Sequence, residues 1–196
     1  MHTLHTSDGQ TVRMGRPRQI DRHAVLAASL DLADEAGLDA VTMQAVAKRL
    51  GVTPMALYRH VESKADLMDG VVERLLDEVE DPGDDVDWQD RLTTMGRSIR
   101  AIARRHPAVF PLLLQRPAST PTAVGSRNRI YDALIEAGVP AHQVPRLERL
   151  ISTMVLGFAA SEAAGRFRAH SRKVIDADYD ALSTIIAQTI NAHIEG

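Results

Sequence analysis

Residues 42–64, TMQAVAKRLGVTPMALYRHVESK, constrain the chain more than any other stretch. Thr42 offers a hydroxyl N-cap, and Val46, Ala47 and Leu50 then fall on one face at helical spacing. Gly51 interrupts the pattern where a left-handed residue is needed, a conformation glycine adopts without a Cβ penalty. Thr53-Pro54 restarts a helix: a hydroxyl cap, then proline at the first helical position, where its missing N–H costs nothing. Leu57 and Val61 continue the buried face, leaving Met55, Ala56, Tyr58, Arg59 and His60 outward. The spacing predicts two short helices about a tight turn, with Ser63 capping another helix directly behind. That is the plan by which a second helix enters the major groove of DNA. Short amphipathic helices about a glycine also occur in helical proteins that never meet nucleic acid, so periodicity alone leaves both readings open.

The same signals recur along the chain. Asp21 can cap a first helix that buries Val25, Leu26, Ser29, Leu30 and Ala33 and ends near Gly37. After Ser63, Leu67, Val71, Leu75 and Val79 form a stripe with Val72 and Leu76 beside it, until Pro82-Gly83 stops the helix. A boundary is therefore expected at residues 81–86. Asp87 caps a helix to Arg105 with Leu92, Met95, Ile99 and Ile102 on one side, and Pro107 lets a short helix begin at Ala108. Pro117 and Pro121 mark a loop, and residues 122–137 form a helix before Gly138. Residues 141–170 form another, burying Leu147, Leu150, Ile151, Met154, Val155 and Phe158. The last, residues 176–194, repeats Tyr179, Leu182, Ile186, Ile190 and His193 at helical spacing. The fold class expected is all-α.

With 44% apolar and 25% charged residues, the chain reads as a soluble globular protein. No apolar run approaches the roughly 18–20 residues of a membrane span, and the opening MHTLHTSDGQ lacks a signal-peptide core, so a cytoplasmic protein without membrane contact is expected. Zero cysteines exclude disulfides and thiolate metal sites. No HExxH, GxSxG or glycine-rich phosphate loop occurs, so no enzyme, cofactor or metal is expected. The net charge of −3 conceals polarity. Residues 13–22 hold four arginines and one acid, whereas residues 77–90 hold eight acids and no base.

Gly51-Val52, then Ala56-Leu57-Tyr58-Arg59-His60-Val61, then Ser63-Lys64-Ala65-Asp66-Leu67 resemble the DNA-binding domain of the tetracycline-repressor (TetR/AcrR) family across residues 20–80. Residues 1–19 have no periodic face and carry Gly15 and Pro17 as breakers, so a flexible basic arm is expected there. The resemblance implies a three-helix helix-turn-helix domain at 20–80, and a fourth helix leading into an α-helical effector-binding and dimerisation domain at 87–196. It makes residues 54–60 the recognition helix, started by Thr53 and Pro54. Arg59 can bond guanine bidentately or hold a phosphate, its alternative being a solvated helix-face charge. Tyr58 and His60 match positions that usually contact phosphate. Met55 and Ala56 offer apolar surface to a thymine methyl. Gln44 and Thr42 can reach DNA from the preceding helix, and Lys64 can share a phosphate with the free N–H groups of its own helix start. Arg13, Arg16 and Arg18 can place the arm in a minor groove.

Trp88-Gln89-Asp90, Arg105-His106-Pro107, Leu112-Leu113-Leu114-Gln115-Arg116-Pro117 and Leu156-Gly157 are similar to the C-terminal domain of the tetracycline-repressor subgroup. That subgroup serves a magnesium–drug complex with two histidines and a glutamate. The matching positions are Glu80, Leu112 and Ser161, so the same drug site is not expected, although Glu162 lies one step away. An apolar pocket walled by Met95, Ile99, Ile102, Phe110, Leu113, Met154 and Phe158 is expected instead, with His106 bonding the ligand or capping the helix before it. The resemblance also implies that the last two helices pair with a second copy of the chain through Ile151, Met154, Val155, Phe158, Ile186 and Ile190. The alternative is that these faces pack only within the monomer. The partners implied are double-stranded operator DNA, a second protomer and a small hydrophobic effector, and the activity implied is repression relieved by that effector. Other readings are a regulator answering to a protein partner or to no ligand, and a helical ligand-binding module or enzyme whose helix-turn-helix pattern is incidental.

Overall fold

Of the side-chain caps expected from sequence, those of Asp21, Thr42, Ser63 and Asp87 are observed and that of Thr53 is not. In a computed structural model that describes residues 20–83, 85–116 and 120–194, the Asp21 carboxylate accepts the Ala24 N–H at 2.7 Å and α1 runs Arg22–Ala36. Thr42 Oγ1 accepts from Ala45 at 3.1 Å to start α2, Met43–Leu50, and Gly51 ends it in the left-handed region at φ 69°. α3 follows as Pro54–Leu57, then α4 as Lys64–Asp77, whose N-cap Ser63 accepts from Asp66 at 3.1 Å. Asp87 starts α5, Trp88–Arg105, by accepting from Asp90 at 2.9 Å. The remaining helices are α6, Leu112–Gln115; α7, Pro121–Glu136; α8, Val144–Ala163; and α9, Arg172–Ile194. The protein is all-α, with no strand among the described residues.

Three expectations shift. The helix expected from Ala108 begins instead at Leu112, because Pro111 has no N–H to donate back to residue 107 and the segment closes through tighter i→i+3 turns such as Val109 N–H to the His106 carbonyl at 3.1 Å. The helix expected over 141–170 is shorter at both ends, and Gly165, at φ 75°, closes it. The last helix starts four residues earlier than expected, where Ser171 Oγ accepts the Val174 N–H at 3.4 Å. The basic arm, including Arg13, Arg16 and Arg18, lies outside the described residues.

One hydrophobic cluster fills the space among α1–α4 and continues without a break into α5 and the 107–112 turns through Met95, Ile102, Ala103, Val109, Phe110 and Leu112. α1 and α4 cross at Gly70, where a Cβ would lie 2.4 Å from a Leu26 methyl, so any larger residue there obliges the Leu26 side chain to shift. A second cluster joins α7, α8 and α9 through Leu134, Leu147, Ile151, Ile186 and Ile190. α5 packs most extensively against α8. No helix among the described residues is long and apolar enough to cross a membrane.

Candidate nucleic-acid interface and interior cavity

Leu57 and Val61 anchor the recognition segment in the core, and the residues between and before them therefore face outward. Met55 is 73% exposed and Tyr58 50%. Gln44, Thr53, Pro54, Arg59 and Lys64 are exposed as well, and Thr42, Ala56 and His60 are half-buried. The expected helix over 54–60 is regular only to Leu57. Tyr58–His60 continue as a tightened turn in which the His60 N–H reaches the Leu57 carbonyl at 2.8 Å. The Thr53 hydroxyl makes no cap bond, so it stands open beside Pro54.

Electrostatics separate the cations of this domain. Arg22 donates to Asp66 at 2.8 and 3.2 Å and to the His60 carbonyl at 2.9 Å. Asp66 also accepts the Glu62 N–H at 2.8 Å, so this pair fixes the chain as it leaves the recognition segment. Its bond from Arg22 holds the Asp66 carboxyl below the usual range, against a smaller opposing effect of burial. Arg49 is engaged by Glu35 at 2.6 Å, and Arg74 by Asp77 at 3.8 Å. Arg59 and Lys64 have no ion partner among the described residues, and neither has Lys48. Lys48 was not singled out by sequence. Its signal is the i,i+4 spacing that places it one turn beyond Gln44 on the exposed side of α2.

Between α4, α5, α7, α8 and α9 lies a cavity of about 370 Å³, within the range of small-molecule sites. Met95, Ile99 and Leu113 line it as expected. Ile102, His106, Phe110, Met154 and Phe158 do not. Ile102 and Phe110 are consumed by the core that joins α5 to α1–α4, and Met154 packs against the second cluster. Phe158 packs tilted against Phe167 and edge-on against Tyr179, at centroid distances of 5.2 and 5.3 Å. His106 points away from the cavity: its Nδ1 lies 2.6 Å from Asp34 of α1 and its Nε2 3.4 Å from Glu78 at the end of α4. The walls that sequence reasoning missed include Val72 and Leu76 of α4, Trp88 and Leu92 of α5, Ser126 and Ile130 of α7, and Glu148 and Ser152 of α8. Tyr179 adds a hydroxyl that burial pushes up to about 12, so it is a neutral group at any physiological pH. Glu80, Leu112 and Ser161 line no part of the cavity.

The faces expected at a dimer seam are divided. Ile151, Val155, Ile186 and Ile190 line the cavity, and Ile186 and Ile190 are only 8% and 0% exposed in the isolated chain. They face inward because the second core needs them, and Ile151, Ile186 and Ile190 leave little surface open on that side. The apolar surface left open on these helices is Leu150, at 48% exposure, and Gly157 on α8, with Val174 and Ile185, at 52%, on α9.

Beside the cavity, Glu162 accepts from Arg100 at 2.6 Å and Arg104 at 2.6 Å, and both arginines reach Asp176 at 2.8 and 2.9 Å. Burial pushes Glu162 up, but the two guanidiniums outweigh it and hold the carboxyl below its ordinary range. The Arg100 guanidinium also lies 4.6 Å from the centroid of the Tyr179 ring and 5.6 Å from that of Phe158. This cluster ties α5 to α8 and α9.

Comparison with known proteins bears on both sites. The description "Bacterial regulatory proteins, tetR family" matches residues 25–71, and "Tetracyclin repressor-like, C-terminal domain" matches residues 81–183. The chain is 31% identical over 140 residues to the HTH-type transcriptional repressor DrrR1 of Streptomyces coeruleorubidus, a match that covers 70% of this chain and 52% of that protein. It thus spans about half the length of that relative. It is 32% identical over 152 residues to the class A tetracycline repressor from transposon 1721 of Escherichia coli, covering 75% of this chain and 69% of the repressor. The fold matches that of apo ActR from Streptomyces coelicolor with a TM-score of 0.78 at 21% identity, over 92% of this chain and 98% of the other.

Proposed function

Because the chain belongs to the tetR family of bacterial regulatory proteins and is a DNA-binding transcriptional regulator, we propose that it is a cytoplasmic, homodimeric repressor released from a palindromic operator by a small hydrophobic effector. Arg59, Met55 and Ala56 read bases. Thr42, Gln44, Lys48, Thr53, Tyr58, His60 and Lys64 hold phosphates and fix the register, and Pro54 packs its ring against the backbone there. The output is occupancy of DNA, so no catalytic group is required. The outward sides of α8 and α9, with Leu150, Met154, Gly157, Val174 and Ile185, form the seam between protomers. Twofold pairing then sets two recognition helices about one helical turn of DNA apart, roughly 34–36 Å.

The observation that carries this reading is α4. It opens at Lys64 directly behind the recognition segment and walls the cavity with Val72 and Leu76, eight and twelve residues later. A helix is stiff over that length, so a change of tilt at the cavity moves its other end. His106 adds a second link, since it joins the end of α5 to Asp34 on α1. An effector that binds better to the tilt misfitting the operator lowers DNA affinity by the ratio of its own affinities for the two states.

Selection from random duplex DNA, followed by sedimentation of the protein with the winning sequence, tests this. An inverted repeat bound by two protomers is expected. Enrichment of no sequence above background, or a lone protomer on a single half-site, would overturn it.

A further inference from the structure

The cavity holds one carboxylate that has no cation. Glu148 lines it from α8 and is only 8% exposed, the one acid among the described residues that is buried so far. Its Oε1 accepts the Ser152 hydroxyl at 2.8 Å, and no arginine, lysine or histidine among the described residues pairs with it. Glu162 shows the contrast: less buried, it is clamped by two guanidiniums. In the lining of the same cavity, Ser126 of α7 is buried and its Oγ has no hydrogen-bond partner among the described residues. An ionised carboxylate in an apolar enclosure is costly unless a positive donor completes it, and a buried hydroxyl oxygen with no partner is a further open acceptor.

The rest of the wall is mostly apolar, with Val72, Leu76, Leu92, Ile99, Ile130 and Val155 around it. Three arginines also border the space, but Arg116 is engaged by Asp69, and Arg149 is exposed and Arg127 half-buried, so a carboxylate neutralises the first and water screens the other two. An anion gains less from them than a cation gains from Glu148. We infer that the effector is a lipophilic amine, its ammonium bound by Glu148 with Ser126 accepting a second N–H, and its apolar body filling the space toward α4 and α5. This rests on the reading of the cavity as an effector site.

The chain has a single tryptophan, and Trp88 lines the cavity, so its emission reports occupancy directly. The probes are n-decylamine, n-decanol and n-decanoate, which share one body and differ in the head group. Decylamine should bind the parent at least about tenfold tighter than decanol, with decanoate weakest. In Glu148→Gln the amine should fall to within about twofold of the alcohol while decanol binding is unchanged. Ser126→Ala should weaken the amine alone by about two- to threefold. The ranking of the three probes on the parent needs no variant, so the inference stays testable even if Glu148→Gln fails to fold. Decanol or decanoate binding as tightly as decylamine would overturn the amine while leaving an effector cavity in place. No response of Trp88 to any probe would overturn the effector reading, and the amine with it.

Discussion

The Glu162 cluster allows a prediction worked from its geometry. Glu162 accepts four bonds, from Arg100 at 2.6 and 3.1 Å and from Arg104 at 2.9 and 2.6 Å. The side chains of Arg100 and Glu162 are 8% and 11% exposed, so Glu162→Gln leaves a buried guanidinium facing an amide that offers a single acceptor oxygen. Breaking a buried ion pair from one side costs about 3–5 kcal/mol. Asp176 remains to hold both arginines, and Arg104 is 28% exposed, which together bring the expected loss down to about 2–3 kcal/mol. For a chain of this length that is a fall in Tm of about 4–12 °C. Thermal and urea unfolding of the parent, Glu162→Gln, Arg104→Gln and the double variant measure it, and the cycle should show coupling of about 1–2 kcal/mol. The pH dependence follows from the lowered carboxyl of Glu162. A carboxyl depressed by folding stabilises fully above its unfolded pKa of about 4.3 and loses that contribution as pH falls through its lower folded value. Parent and variant should therefore differ most above pH about 5 and converge in acid. Melting within about 1 °C of the parent at neutral pH, or a coupling near zero, would refute the reasoning.

Two further predictions concern DNA and assembly. Arg59→Ala should cost about 1–3 kcal/mol of operator affinity and relax preference at one base pair, whereas Lys64→Ala and Lys48→Ala should weaken all sequences alike and each flatten the log–log salt slope by about one unit. Filter binding across a salt series separates them, and parental behaviour in all three variants would remove the DNA face. Ile185→Asp should give a folded monomer in sedimentation and circular dichroism, because that side chain is open. Ile186→Asp should unfold the chain, because its carboxylate would be buried without a partner. Identical behaviour of the two variants would contradict the division of the α9 faces.

The parts of the fold legible in sequence are those set by local chemistry. Asp21, Thr42, Ser63 and Asp87 each cap the helix they precede with the side chain expected of them. The outward face of the recognition segment was legible for the same reason. Leu57 and Val61 are buried at i and i+4, which obliges the intervening Tyr58 and Arg59 to face out. What failed depended on distant packing. α9 carries isoleucines at 185, 186 and 190, and their spacing describes two overlapping faces without saying which one meets α8. Arg100 and Arg104 are separated from Glu162 by 62 and 58 residues, and along α5 alone they read as a solvated edge. His106 read as a ligand contact or a helix cap; it stands at the C-cap of α5, and nothing local to it shows that α1 brings Asp34 to its ring.

The cavity was the least legible feature, for a reason specific to cavities. A wall and a core are built from the same residues, and Ile99 and Ile102 on α5 differ only in whether the opposing helix closes upon them. The polar groups mark the difference. On α8, Leu147, Ile151 and Val155 repeat every four residues along the inward stripe, and Glu148 and Ser152 run parallel to it one position later. A residue one step from the centre of a buried stripe is turned about 100° from it, at the border of the apolar face rather than opposite it. A glutamate and a serine at that border, four residues apart and joined at 2.8 Å, face the interior only where another helix stands off. That pairing was present in the sequence, and a helical-wheel reading weighing border positions as well as the stripe would have selected Glu148 ahead of Phe158 and Met154.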